Sequence, residues 1–267
     1  MNAGTAKAIA DHEMAGSGFE ATGVRSFALD AGEGDAVVLL HGVPASCFLY
    51  RKVVPRLADA GFRAIAFDFP GLGLAERPVE YDYSWSGLVR FVDAALATLA
   101  VERCHLVVHD IGGPIGFEWA VRNPERVRSL TALNSFVNVA EFRRPWSMHP
   151  FSVRGLGEVW LRSLNRWAFS LLKLEDGGRA FLRVMRGFEL TRAKQEFLGS
   201  GLAERPYPAQ AVWGIDDPAL GRKHMELVSR VLGVQPTELP AKHFLQEDQA
   251  PAVVEAIAAL ASEPKGV

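Results

Sequence analysis

Cysteine is scarce in this 267-residue chain: Cys47 and Cys104 stand alone, each inside an apolar stretch. Neither a disulfide framework nor a thiolate zinc site is therefore expected. Such usage suits a reducing compartment, and the cytoplasm is the expected location. An excess of one charge is also missing. With 29 Lys and Arg against 31 Asp and Glu, the formal net charge is −2, which gives no footprint for nucleic acid or an anionic membrane surface. No apolar run is long enough to span a bilayer, and the stretch from Met1 to Gly18, broken by Asp11, His12 and Glu13, lacks the apolar core of a secretory signal. This first stretch is expected to be frayed. The seven histidines are dispersed without ligand spacing, so neither a metal nor an organic cofactor is expected. No internal repeat occurs, and no Gly-rich turn has the spacing of a dinucleotide or phosphate loop in its strand–helix setting. These exclusions leave small-molecule chemistry, in a chain whose 49% hydrophobic content can bury a sizeable core.

What is present is alternation. From about Val24, short apolar runs ending in Gly or Asp alternate with longer segments of helical period, the pattern of βα units around a mostly parallel sheet. The runs 36–40, 63–67, 105–108, 130–133 and 210–213 read as strands buried on both faces. Helices are expected over 49–60, 85–99 and 113–122, with Pro124 and Gly61 as stop signals, and an alanine-rich one opens at Pro251. The alternation breaks over 136–207, where Trp146, Trp160, Trp167, Phe169, Leu171, Leu172, Phe181, Leu182, Met185 and Phe188 fall at helical spacings. This segment is expected to be a helical cap inserted in a core made of 20–135 and 208–262. Its mild excess of Arg and Lys reads as a solvated face rather than an anion site.

The stretch from Val107 to Gly116, Val-Val-His-Asp-Ile-Gly-Gly-Pro-Ile-Gly, stops a buried strand at Asp110 and starts a helix almost at once. In such an elbow the middle residue projects from the carboxyl edge of the sheet, while Gly112 and Gly113 let the backbone crowd. The usual G-x-S-x-G occurs nowhere in the chain, which makes Asp110 the candidate nucleophile; an N-cap is its plainer reading. After the second apolar run comes His41-Gly-Val-Pro44, whose Val43 N–H could meet that of Ile111 as an oxyanion hole. His243 sits in a loop after the last expected strand, where it can act as a base, and Asp216 or Asp217 beyond another strand could orient its ring.

Nucleophile, acid and histidine in this chain order resemble the α/β-hydrolase superfamily, and within it the haloalkane dehalogenase and epoxide hydrolase branch. The likeness rests on His41-Gly-Val-Pro44, Asp68-Phe-Pro-Gly-Leu-Gly73, His109-Asp-Ile-Gly-Gly113, Gly214-Ile-Asp-Asp217 and His243-Phe-Leu-Gln-Glu-Asp248. It implies the α/β-hydrolase fold with a helical cap, Asp110 as nucleophile, His243 as base, Asp217 as the orienting acid, and His109 as a packing residue behind the elbow. The implied reaction displaces a leaving group from an sp³ carbon of a small apolar organic substrate. An alkyl ester forms on Asp110, and water hydrolyses it.

Members that release halide grip it with a Trp directly after the nucleophile and a second Trp or Asn. Ile111 and Val43 stand at those places here, so Trp160, and after it Trp146, are the candidate donors from the cap. In the alternative reading, epoxide hydrolysis, two cap tyrosines are expected. The four tyrosines here are Tyr50, Tyr81, Tyr83 and Tyr207, and His149 is the candidate proton donor in their stead. Ester or lactone hydrolysis and a non-catalytic ligand receptor are further alternatives.

Overall fold

Apolar runs without polar interruption cannot lie on a sheet that shows one face to water; they call for cover on both sides. A computed structural model, which describes residues 3–163 and 174–263, has this arrangement. Among the described residues the sheet has eight strands: β1 (Ser17–Ala21), β2 (Val24–Ala31), β3 (Ala36–Leu40), β4 (Arg63–Phe67), β5 (Cys104–Asp110), β6 (Val127–Ser135), β7 (Ala209–Gly214) and β8 (Thr237–Leu239). Their order is β1-β2-β4-β3-β5-β6-β7-β8. The first two pairings, β1 with β2 and β2 with β4, are antiparallel, and all the others are parallel. The period-2 geometry of a strand divides each run between two apolar clusters: Val38, Leu40, Leu106 and Val108 enter one, and Val37, Leu39 and Val107 the other.

Helices α3 (Trp85–Thr98), α4 (Gly112–Arg122) and α9 (Arg222–Leu232) bury residues in the first cluster, while α2 (Val54–Asp59) and α11 (Ala250–Ala261) bury theirs in the second. The segment expected to be one helix over 49–60 is divided into a 3₁₀ turn, Cys47–Tyr50, and the short α2 with Pro55 in its first turn. Pro55 has no N–H to continue a helix from the preceding turn, so it can only open one.

The N-terminal expectation is corrected. Residues Ala3–Met14 form α1, seated by the buried ring of His12, which lies 4.9 Å from the Phe27 ring and 5.0 Å from that of Phe48. A single histidine carries that contact, so the segment has no apolar run to announce it. The β1–β2 hairpin also precedes the expected start of the alternation. Its turn is Thr22-Gly23, with φ of 52° and 72°, the left-handed pair that matches the twist of a two-residue hairpin.

Between β6 and β7 the described residues form helices and no strand: α5 (Leu156–Ser163), α6 (Leu174–Gly177), α7 (Arg179–Arg186) and α8 (Arg192–Ala203). Trp167, Phe169, Leu171 and Leu172 lie outside the described residues. Helix α7 buries Phe181, Leu182, Val184 and Met185, with Phe181 edge-on to Phe151 at 5.0 Å. Helix α8 packs against α4 and α9 beside the sheet. A buried ion cluster ties it there: Lys194 meets Glu118 of α4 and Glu189, and donates to Ser86 Oγ of α3 at 3.2 Å.

Candidate active site

Parallel strands end together, and the loops that leave their carboxyl ends share one crevice. Strand β5 ends in Asp110, whose φ of 51° is left-handed, a conformation that costs a non-glycine residue about 1–2 kcal/mol. The turn into α4 follows immediately, so the carboxylate stands at the sheet edge. Two bare positions make room for it. A Cβ on Gly42 would fall 2.2 Å from Asp110 Cβ, and one on Gly113 only 1.6 Å from Ser135 Oγ. That hydroxyl donates to the Asp110 carbonyl at 2.8 Å and pins the elbow.

The Asp110 carboxylate has two unlike oxygens. Oδ1 accepts the Val43 N–H at 2.8 Å, and the Ile111 N–H also favours the ionised carboxylate. Oδ2 faces His243 Nε2 at 3.7 Å. Burial raises the pKa of Asp110 above the usual carboxylate value; the charge of His243 and the two N–H groups work against that rise.

His243 lies in the loop after β8. Its Nδ1 hydrogen-bonds Asp217 Oδ2 at 2.8 Å, which assigns Nδ1 as the protonated nitrogen and leaves Nε2 free to act as a base toward Asp110. Burial opposes the imidazolium, but the Asp217 hydrogen bond and the charges of Asp110 and Asp217 outweigh it, and the pKa is raised. Asp217 is buried while Asp216 is exposed, so only the second carboxylate of the pair reaches the ring. Burial pushes the Asp217 carboxyl up, yet hydrogen bonds from His243, Asn134 and the Leu220 N–H hold it at about 2.

Asn134 is a member of this group that the sequence reading does not single out. Along β5 and β6, His109 pairs with Leu133 but Asp110 pairs with Ser135, which leaves Asn134 as the extra residue of a bulge. Bulges re-aim a side chain; here, at a φ of 30°, Nδ2 donates to Asp217 Oδ2 at 2.7 Å and Oδ1 accepts the Gly214 N–H at 2.7 Å. An Asn directly after an apolar strand run, of a residue type that tolerates left-handed backbone, is the signal in the sequence. His109, fully buried behind the elbow, is held neutral at about 3, by burial first and then by the charge of His243. Its Nε2 hydrogen-bonds the His243 carbonyl at 2.8 Å, so the strand that presents Asp110 also fixes the loop of His243.

A cavity of about 210 Å³ opens on these groups, lined from the core by Val43, Asp110, Ile111 and His243, and from the insertion by Arg144, Met148, Met185 and Phe188 among others. The three candidates expected from the insertion do not line it. Trp146 is 82% exposed, because the chain turns at Pro145, whose carbonyl accepts the N–H groups of Met148 and His149, and that turn carries the indole outward. His149 is exposed on the same turn. Trp160, half-buried, packs on the apolar cluster instead. What the insertion does bring to the cavity is Arg144, contrary to the expectation that its basic residues are only a solvated face. None of the four tyrosines is among the lining residues.

The family model for the alpha/beta hydrolase fold matches residues 35–210. Over 264 residues the chain is 30% identical to a haloalkane dehalogenase of Mycolicibacterium paratuberculosis, covering 88% of this chain and 86% of that one. It is 29% identical over 254 residues to a haloalkane dehalogenase of Mycobacterium marinum, covering 84% of each. In structure it is similar to a haloalkane dehalogenase from Bradyrhizobium elkani, with a TM-score of 0.78 at 20% identity over 92% of this chain and 97% of that one. The chain thus belongs to the α/β-hydrolase superfamily and, within it, to the haloalkane dehalogenase and epoxide hydrolase branch of enzymes.

Proposed function

We propose that this enzyme hydrolyses a small apolar organic halide through an alkyl ester on Asp110, with His243 as the base and Asp217 as its orienting acid. The observation that carries the reading is the division of the Asp110 carboxylate, with Oδ1 accepting the Val43 N–H at 2.8 Å and Oδ2 facing His243 Nε2 at 3.7 Å. Oδ2 attacks the sp³ carbon; the C–O bond forms, the carbon–halogen bond breaks, and halide leaves with the electron pair. Water then adds to Asp110 Cγ as His243 takes its proton, and negative charge collects on Oδ1, where one N–H donor is worth roughly 3 kcal/mol. Collapse breaks the bond from Cγ to Oδ2, His243 returns the proton to the departing alcohol, and the second proton of the water, left on the new Asp110 carboxyl, passes to solvent to restore the carboxylate. The insertion acts as a cap that keeps the cavity dry, and two buried free cysteines suit the cytoplasm.

Halide release is favoured over epoxide opening by the names of the relatives and by the lack of any tyrosine in the cavity lining. A receptor has no need of a base oriented by a buried acid. The test separates the two steps. With a bromoalkane that the wild type turns over, H243Q should still release one equivalent of halide and accumulate a mass increase of one alkyl group on the Asp110 peptide. A single turnover of the wild type in ¹⁸O water should put the label in Asp110. Label found only in the alcohol, with no adduct on H243Q, sinks the ester mechanism.

A further inference from the structure

A guanidinium at the wall of an apolar cavity needs a reason, since a well-packed hydrophobic residue would serve stability as well or better. Arg144 is such a group. Its Nη2 donates to the Met185 carbonyl at 2.9 Å, its guanidinium carbon lies 4.5 Å from the centroid of the Phe188 ring, and both of those residues line the same cavity. Its Nε is buried and has no hydrogen-bond partner among the described residues, and no carboxylate among them pairs with it. Apart from Asp110 and His243, Arg144 is the one charged residue among those lining the cavity.

We propose that Arg144 is a specificity residue that receives a carboxylate at the far end of the substrate, so that the preferred halides are short chains with a halogen at one terminus and a carboxylate at the other. The planar fork of an arginine matches a carboxylate with paired hydrogen bonds, and stacking on Phe188 holds that fork in one plane. The far end, rather than the departing halide, is indicated because Met185 and Phe188, which hold the guanidinium, belong to the insertion, whereas Asp110 stands at the sheet edge. A cavity of about 210 Å³ is small beside the ~300–1,000 Å³ of pockets for drug-sized ligands, which limits the chain joining the two ends.

This inference deepens the reading of the reaction given above and rests on it for turnover, but it can be tested by binding alone. Two halides, 6-bromohexanoate and 1-bromohexane, and two unreactive ligands, hexanoate and 1-hexanol, form the set. Wild-type enzyme should prefer 6-bromohexanoate and bind hexanoate by calorimetry. In R144Q, kcat/KM for 6-bromohexanoate should fall about tenfold to hundredfold through KM, as expected for a lost charge-assisted hydrogen bond, and hexanoate binding should weaken by the same factor. The preference for 6-bromohexanoate over 1-bromohexane should fall by the same factor, and R144K should recover part of the loss because it keeps the charge without the fork. Thermal melts show whether R144Q holds its fold, with R144M in its place where it does not. Release of halide from neither compound, with Arg144-dependent binding of hexanoate, removes the assigned reaction and leaves the anion site standing. The proposal is overturned if wild type does not bind hexanoate, if R144Q binds it equally well, or if the variant slows both halides alike.

Discussion

At the scale of single residues, the site depends on charges that change during the reaction. The resting His243 pKa is raised, against the pull of burial, by Asp217 and by the Asp110 charge. In the proposed reaction, alkylation turns Asp110 into a neutral ester, so one of the two supports for the imidazolium vanishes just when a neutral base is needed. The sign follows: ester hydrolysis rises with pH, and its midpoint lies below the midpoint of His243 in the resting enzyme. An NMR titration of the ring should place the resting midpoint above 6.5, and rapid-quench decay of the ester between about pH 5 and 9 should give a lower one. D217N should move the resting midpoint down and slow ester decay by about 10³–10⁴-fold, as loss of an orienting carboxylate does elsewhere. An unchanged profile in D217N would mean that Asp217 does not act through the ring. The three proposed triad residues are legible in the sequence because each lies at or just beyond a strand end, Asp110 on β5, Asp217 after β7 and His243 after β8. Arg144 is not, since a basic residue in a helical insertion looks the same whether it faces water or a cavity, and only packing decides between them.

At the scale of elements, the strands that build the floor of the site were readable because apolar runs of strand length admit few other structures; 36–40 and 63–67 coincide with β3 and β4. The bulge at Asn134 was not readable, because it is a relation between two strands and periodicity describes one at a time. Its contribution can be separated into backbone and side chain. N134A loses the bonds to Asp217 and Gly214 and also puts alanine at a φ of 30°, whereas N134G loses only the bonds. Urea unfolding should show both variants less stable, N134A by the larger amount, with a difference of about 1 kcal/mol for the left-handed backbone. The loss common to both should be about 1–3 kcal/mol, the cost of leaving a buried polar group unpaired. Equal stability of the two variants would show that the bulge carries no strain. Helix α1 is not legible in the sequence for a related reason, since the His12 contacts with Phe27 and Phe48 join residues far apart in the chain.

For the whole molecule, the buried cluster around Lys194 decides how α8 is fastened to the sheet. The side chains of Lys194 and Glu118 are 12% and 2% exposed, so removing the cation leaves the buried Glu118 with Arg122 alone among the described residues, at 2.8 Å, and Glu189 with Ser86. K194M should therefore cost about 3 kcal/mol in chemical denaturation, as for other broken buried pairs. The double variant E118Q/K194M should be less destabilised than the sum of the single ones, and simple additivity would show that the charges do not interact. The crowded elbow has a different consequence, one for redesign. Gly42 and Gly113 are fixed by atoms that a Cβ would strike, while residue 110 is fixed only by its backbone and stands before a ready pair of N–H donors. The frame is thus a mould and the carboxylate an exchangeable tool: with serine or cysteine at position 110 the oxyanion of a bound acyl group would meet the same donors, and an alkylated scaffold would become an acylated one.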